Sequence, residues 1–304
     1  LPEGSFAAAV GADDFMRKLD AYGGPDARKQ WQRLMARVEP LGSAIFGLPS
    51  AAVRSDAWAL LTMGRYGAAF AKVIAAGGAS LQLPFSRVLE EEGVTDPFIR
   101  NWLDMICFLL QGATVDEAPT TLMAYMLSDF YREGVALDFP RGGTHSIVDA
   151  LVRGVEKHPG CDVRLRHHVE EILVEEGRAV GVCVSTGKAK SRIIRARRSV
   201  VSNADLWATR RLVPEASAPA LRAELDRRCA DVGRCDSFLH LHIGIDASGL
   251  PAEPSEAFPA QWAVVDDWAR GVDAPRNLVL VSVASLLDPS LAPKGRHVIH
   301  AYTP

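Results

Sequence analysis

The hydrophobic period of this 304-residue chain changes at Leu137. Before that point apolar residues recur three and four apart. After it they alternate or run in short blocks bounded by Gly and Pro. Helical and extended periods cannot share one element, so the chain must divide into a helical part and a strand-bearing part, an α/β organisation. In the first part Phe15, Met16 and Leu19, then Trp31, Leu34 and Met35, keep helical spacing. Residues 96–111 carry a broad stripe of Phe98, Trp102, Met105, Ile106, Leu109 and Leu110. Such a stripe packs a core or walls a tunnel for an apolar ligand. Trp58, Leu60 and Leu61 form either a further packing face or a membrane-touching patch. Residues 66–84 are the most apolar run, but Lys72 and Gly77-Gly78 interrupt it. It falls short of a bilayer span and reads as a helix followed by a loop.

The second part opens with an extended Leu137-Asp138-Phe139-Pro140 and a tight Arg141-Gly142-Gly143 turn. A helix follows, with Ser146 and Asp149 at capping-box spacing and Ile147, Leu151 and Val155 on one face. It ends near His158-Pro159-Gly160. Residues 162–166 alternate as a strand. Residues 169–174 and 179–184 read as a hairpin about Glu176-Gly177. Residues 193–196 make another strand, and the apolar block 199–203 is expected to be a buried parallel one. Beyond residue 205 a helix over 219–229 precedes strands over 238–243, 262–265, 278–283 and 297–302.

Composition narrows the class. Hydrophobic residues make up 48% and charged residues 23%, a globular balance. A net charge of -3 supplies no basic field, so nucleic acid is not an expected partner. Cys107, Cys161, Cys183, Cys229 and Cys235 contain no C-x-x-C pair. Neither a disulfide framework nor a structural zinc site is expected, and a reducing compartment is the default. His240 and His242 share a strand face, but no carboxylate or cysteine joins them at ligand spacing, so no metal is assigned. Asp266-Asp267 beside Trp268 reads as a solvated turn. No nucleophilic triad is recognisable, and catalytic residues are left unassigned. The chain starts at Leu1 with no signal-peptide pattern and stops directly after a strand. It reads as an internal fragment, with any targeting information outside it.

Several segments come in a telling order: Phe139-Pro140-Arg141-Gly142-Gly143 and its helix, Val169-Glu170-Glu171-Ile172-Leu173, Gly177-Arg178-Ala179-Val180-Gly181-Val182, and Val200-Val201-Ser202-Asn203-Ala204. This order resembles the middle of the FAD-dependent carotenoid isomerase and phytoene desaturase family. Residues 237–244 and 286–295, with His297, are similar to that family's substrate domain and stand nearer the isomerases. The resemblance covers about residues 96–304. It implies part of a glutathione-reductase-like FAD-binding domain, a mixed-sheet substrate domain and a helical cap. The implied segments are 1–135 for the cap and substrate region, 136–205 for the middle of the FAD domain, and 206–304 for the substrate domain. The family's G-x-G-x-x-G fingerprint is not among these residues, nor is its C-terminal flavin segment, so the chain alone is expected to hold FAD poorly.

The resemblance also implies roles. FAD is the cofactor, with Val169, Arg141, Gly142, Gly143, Ser202 and Asn203 as its candidate contacts. Glycines let a backbone approach a cofactor closely. The residue-level alternatives are a surface arginine in an ordinary turn and a core valine in a hairpin. A lipophilic polyene is the implied substrate, with His240, His242 and Trp102 as candidate contacts. Flavin would do the electronic work while the protein binds and orients the substrate. The expected activity is cis–trans isomerisation of poly-cis lycopene. A carotenoid or retinoid desaturase or saturase is the alternative, and a cofactor-free lipid-binding remnant a third. A plastid location with peripheral membrane contact is implied, or the cytoplasm for a bacterial protein. Oligomeric state is not readable.

Overall fold

A computed structural model describes residues 1–7, 11–47, 64–187, 191–234, 237–251 and 259–304. Trp58, Leu60, Leu61 and Cys235 lie outside the described residues. The chain forms two compact units, one of Leu1–Gly143 with Asp236–Pro304 and one of Thr144–Cys235.

The helices of the first unit are α1 (Ala12–Tyr22), α2 (Ala27–Phe46), α3 (Gly67–Ala75), α4 (Phe85–Glu91), α5 (Pro97–Gln111) and α6 (Thr120–Phe130). On α2, Trp31, Leu34, Val38 and Leu41 are buried. Their spacing of three and four places them on one face. The ends of α5 follow from sequence. Asp96 accepts the Ile99 N–H at 3.0 Å, Pro97 begins the helix, and Gly112 ends it in a left-handed conformation at φ 66°. Phe98, Trp102, Met105 and Ile106 of the expected stripe are buried in the core, whereas Leu110 is 52% exposed. The apolar run after residue 66 is α3 followed by turns, as its interruptions dictate.

The same unit carries a four-stranded sheet of order β4-β7-β6-β5, built from β4 (Leu239–Asp246), β5 (Gln261–Val265), β6 (Leu278–Ser282) and β7 (Arg296–Thr303). A short helix, Ala284–Leu287, links β6 toward β7. All pairings are antiparallel. This corrects the expectation of a mixed sheet. Among the described residues each strand of this sheet pairs only with antiparallel neighbours. Register sorts the side chains. Leu280 opposes Tyr302, Tyr302 opposes His240, and His300 opposes both Ser282 and His242. Opposed residues share a face, so these lie on one side with Leu278 and Val265. Leu278, Leu280 and Val265 join the helical residues in one core cluster. Leu239, Leu241, Ile243, Val279, Val281 and Val264 occupy the opposite side.

The second unit contains α7 (His145–Glu156), β1 (His168–Glu175), β2 (Arg178–Ser185), β3 (Arg192–Arg195), α8 (Leu206–Leu212) and α9 (Pro219–Asp231). Its sheet runs β1-β2-β3, antiparallel throughout. The turn between β1 and β2 has φ 47° at Glu176 and 75° at Gly177. Positive values at both positions match the twist of a tight hairpin. Ile172, Val213, Ala218 and Leu225 form a small core.

Three local expectations are corrected here. Residues 162–166 form no strand, because the backbone turns at Arg166 with φ 57°. Thr144, not Ser146, occupies the cap position of α7, so Ser146 and Asp149 sit inside the helix and Asp149 pairs with His145 at 3.3 Å. Residues 199–203 pair with no strand among the described residues, and Val201 is 88% exposed. Burial in a parallel sheet needs a neighbour on each side, and an apolar block cannot supply that alone.

Candidate flavin and substrate site

The Arg141-Gly142-Gly143 turn closes on itself through the Gly143 N–H to the Pro140 carbonyl at 2.9 Å. Both glycines have positive φ, 81° and 73°, which a side chain would strain. The Gly142 N–H donates to Asp288 Oδ2 at 2.6 Å, across 146 residues of sequence. Asp288 Oδ1 also accepts the Ser290 N–H at 2.9 Å. These donors hold its carboxyl below the ordinary range, with the Gly142 N–H first, Ser290 next and the Arg141 charge last. Leu291 stands where a Cβ on Gly143 would meet it at 3.6 Å.

On the sheet, the histidines form a column. His242 and His300 stack with centroids 4.3 Å apart and planes 2° from parallel. His240 Nδ1 lies 2.9 Å from His300 Nε2, and Tyr302 stacks on both His240 and His300. Phe238 meets Tyr302 edge-on and also touches Phe108 of α5. Burial, then the charges of His242 and His240, lowers the His300 pKa. Among the described residues no group of three His, Cys, Asp or Glu stands ready to hold a metal ion. The other side of the same strands is apolar and open, with Leu239 at 72%, Leu241 at 55% and Val264 at 47% exposed.

Trp102 lies in the helical core, where its indole N–H donates to Tyr131 Oη at 2.8 Å. At the end of the same helix an open groove of about 490 Å³ is lined by Leu110, Leu122, Tyr125 and Met126, among others. In the second unit, Val169 is half-buried on β1 and faces Val184. The ladder shifts register between Val169 and Glu171. A bulge of this kind leaves backbone groups outside the ladder, as a cofactor held through main-chain atoms requires. Ser202 Oγ bonds Thr209 Oγ1 at 2.7 Å, and Ser202 and Asn203 are exposed. Arg141, Gly142 and Gly143 are brought together with Asp288. Val169, Ser202 and Asn203 belong to the other unit. Sequence reasoning did not place His300 beside His240 and His242, nor Asp288 beside the glycine turn. Only the register of β7 on β4 and the fold-back of residues 288–291 bring them in.

The register shift after Val169 leaves backbone groups of β1 outside the ladder, and these 304 residues contain no G-x-G-x-x-G pyrophosphate loop. Comparison with known proteins gives the class. Residues 129–225 match the FAD binding domain family, which indicates FAD as the cofactor. Full sequence comparison then relates the chain to carotenoid enzymes. It is 27% identical over 211 residues to prolycopene isomerase, chloroplastic, of Daucus carota, covering 69% of this chain and 32% of that protein. It is 28% identical over 201 residues to phytoene desaturase of Fusarium fujikuroi, covering 64% and 33%. The chain therefore spans about a third of the length of the curated relatives it matches. In fold it is similar to an oxidoreductase of Methanosarcina mazei, with TM-score 0.50 and 21% identity, covering 77% of this chain and 50% of that one. The expected relationship to FAD-dependent carotenoid isomerases and desaturases is borne out, as is FAD.

Proposed function

We propose that this chain is part of an FAD-dependent enzyme that isomerises cis double bonds of a carotenoid, poly-cis lycopene in the first instance. The observation that carries the reading is the overlap of an FAD-domain match with similarity to prolycopene isomerases over 69% of the chain. FAD, when bound, supplies the electron chemistry a polyene needs, and this chain supplies binding and orientation. Val169 and the bulge after it, with Ser202 and Asn203, offer contacts in the second unit. Arg141, Gly142 and Gly143 offer contacts in the first.

The open face of Leu239, Leu241, Ile243 and Val264 supports a polyene substrate, because an apolar chain binds by leaving water. His240 and His242 present polar groups on the other side of the same strands, and Trp102 lies buried in the helical core, bonded to Tyr131. No catalytic acid or base is assigned. A plastid location and contact with a membrane surface, where such a substrate resides, belong to this same reading. No described helix is long and apolar enough to cross a bilayer.

The test is pigment analysis in cells that accumulate poly-cis lycopene and express the full reading frame encoding this chain. All-trans lycopene at unchanged mass is expected. The phytoene desaturase similarity favours one second reading, dehydrogenation, which a product lighter by pairs of hydrogens would select. Unchanged pigments in a flavin-loaded protein would remove lycopene as the substrate.

A further inference from the structure

Asp288 has no role in the reading above, yet it is the side chain that accepts the Gly142 N–H of the Arg141-Gly142-Gly143 turn. Its own mounting is hydrogen-bonded to β7. Ser285 is buried, and its hydroxyl lies 2.9 Å from His297 Nδ1 while accepting the Val298 N–H at 3.3 Å. These bonds pin the helix Ala284–Leu287 to β7, and Asp288 follows directly. Asp288 then turns its two oxygens in different directions. Oδ1 accepts from Ser290 and steadies the 3-10 turn Pro289–Leu291, while Oδ2 takes the Gly142 N–H. A carboxylate accepting backbone N–H groups makes charge-assisted bonds of about twice neutral strength.

We propose that Asp288 is a positioning residue. Its carboxylate fixes the Arg141-Gly142-Gly143 turn to the substrate sheet and thereby sets where that turn meets the flavin. The inference rests on the reading of that turn as a flavin contact. It adds a physical link from the strands that wall the substrate to the backbone that faces the cofactor, made by one hydrogen bond between residues 146 apart in sequence. Positive φ at Gly142 and Gly143 would strain any other residue, and glycine's freedom makes ordering the turn entropically costly, which a further hydrogen bond offsets.

Two measurements test it. The first is amide hydrogen exchange at Gly142 in this chain, comparing the native protein with Asp288→Ala and Asp288→Asn. Loss of a bond to a charged acceptor should speed Gly142 exchange roughly tenfold or more in Asp288→Ala. Asp288→Asn keeps an oxygen and should fall between. Unchanged exchange in Asp288→Ala overturns the anchor. The second uses the full reading frame loaded with FAD. Asp288→Ala should shift the flavin reduction potential and visible spectrum and lower kcat more than it changes KM, with partial rescue by Asp288→Asn. Variants that lose only folded yield, with the potential and kcat of the folded fraction unchanged, overturn the positioning role. If the unsubstituted full-length protein takes up no flavin, the functional reading itself has failed, and this inference falls with it.

Discussion

His242 and His300 face each other across β4 and β7 with their rings 4.3 Å apart and 2° from parallel. A positive charge on one of two rings so placed opposes a positive charge on the other. Burial and the neighbouring His242 and His240 lower the His300 value from the usual 6.5. A histidine lowered on folding binds its proton more readily in the unfolded chain. Its contribution to stability is therefore complete above the ordinary value and is lost as pH falls through the folded one. Removing a like-charge neighbour should reverse part of this. In His242→Ala the His300 titration, followed by NMR, should move back up toward 6.5. A titration that stays put or drops further would show that His242 does not act on it.

The buried pair Trp102 and Tyr131 makes a second case. The indole N–H donates to the phenol oxygen at 2.8 Å, and both residues are at most 5% exposed. Burial also raises the Tyr131 pKa, so the phenol stays protonated. Tyr131→Phe keeps the ring and removes only the acceptor. The stranded indole N–H should cost about 1–3 kcal/mol in chemical denaturation. An unchanged midpoint would mean that the indole finds another partner.

How much was readable in advance follows from how local each feature is. The α5 stripe and the hairpin about Glu176-Gly177 were legible, since periodicity and turn residues act over a few positions. His240 and His242 were read as sharing a face, but His300 was not placed beside them. Sixty residues separate it from His240, and only β7 pairing with β4 brings the two together. The tie between Asp288 and Gly142 leaves no sequence pattern at all. The block around Val201 misled for a related reason: apolar character signals a wish for burial, and the pairing strand decides whether burial occurs. For the candidate site, the turn and β1 were legible as segments, while the carboxylate that anchors the turn was not.

Cysteine chemistry separates the two units. Cys107 is fully buried on α5, and burial first, then Asp104 and Glu117, pushes its thiol up to about 12. Cys161 is exposed. The thiolate is the reactive form. Iodoacetamide near neutral pH should therefore alkylate Cys161 while leaving Cys107 unmodified until the chain is unfolded, as peptide mass mapping would read. Early labelling of Cys107 would show that the helical core opens.

Gly42 of α2 packs closely against Ser128 and Ala124 of α6. A Cβ there would lie 2.0 Å from Ser128 Oγ and 2.5 Å from both Ser128 Cβ and the Ala124 carbonyl oxygen. Backbone cannot yield as a flexible side chain does, so Gly42→Ala should destabilise by at least about 1–3 kcal/mol through overpacking. Ser128→Ala alone should be nearly neutral or stabilising, because its buried hydroxyl has no hydrogen-bond partner. The double variant should recover only part of the loss, since the Ala124 oxygen remains in the way. Full recovery would place the whole conflict on the hydroxyl.

The hairpin turn carries a correctable strain. Glu176 and Gly177 both adopt positive φ, and a glutamate pays for this where asparagine does so readily. Glu176→Asn should stabilise the β1–β2 pair by about 0.5–1 kcal/mol, within the roughly 1–2 kcal/mol that a left-handed residue costs. Gly177→Ala should lose stability, since it puts a Cβ at φ 75°. Hydrogen exchange at Val174 and Ala179, paired one step beyond Glu175 and Arg178 at the turn, reads the local effect without requiring global unfolding. Slower exchange in Glu176→Asn and faster exchange in Gly177→Ala is the expected pattern. The same direction in both variants would mean that the turn is not what limits opening of this hairpin.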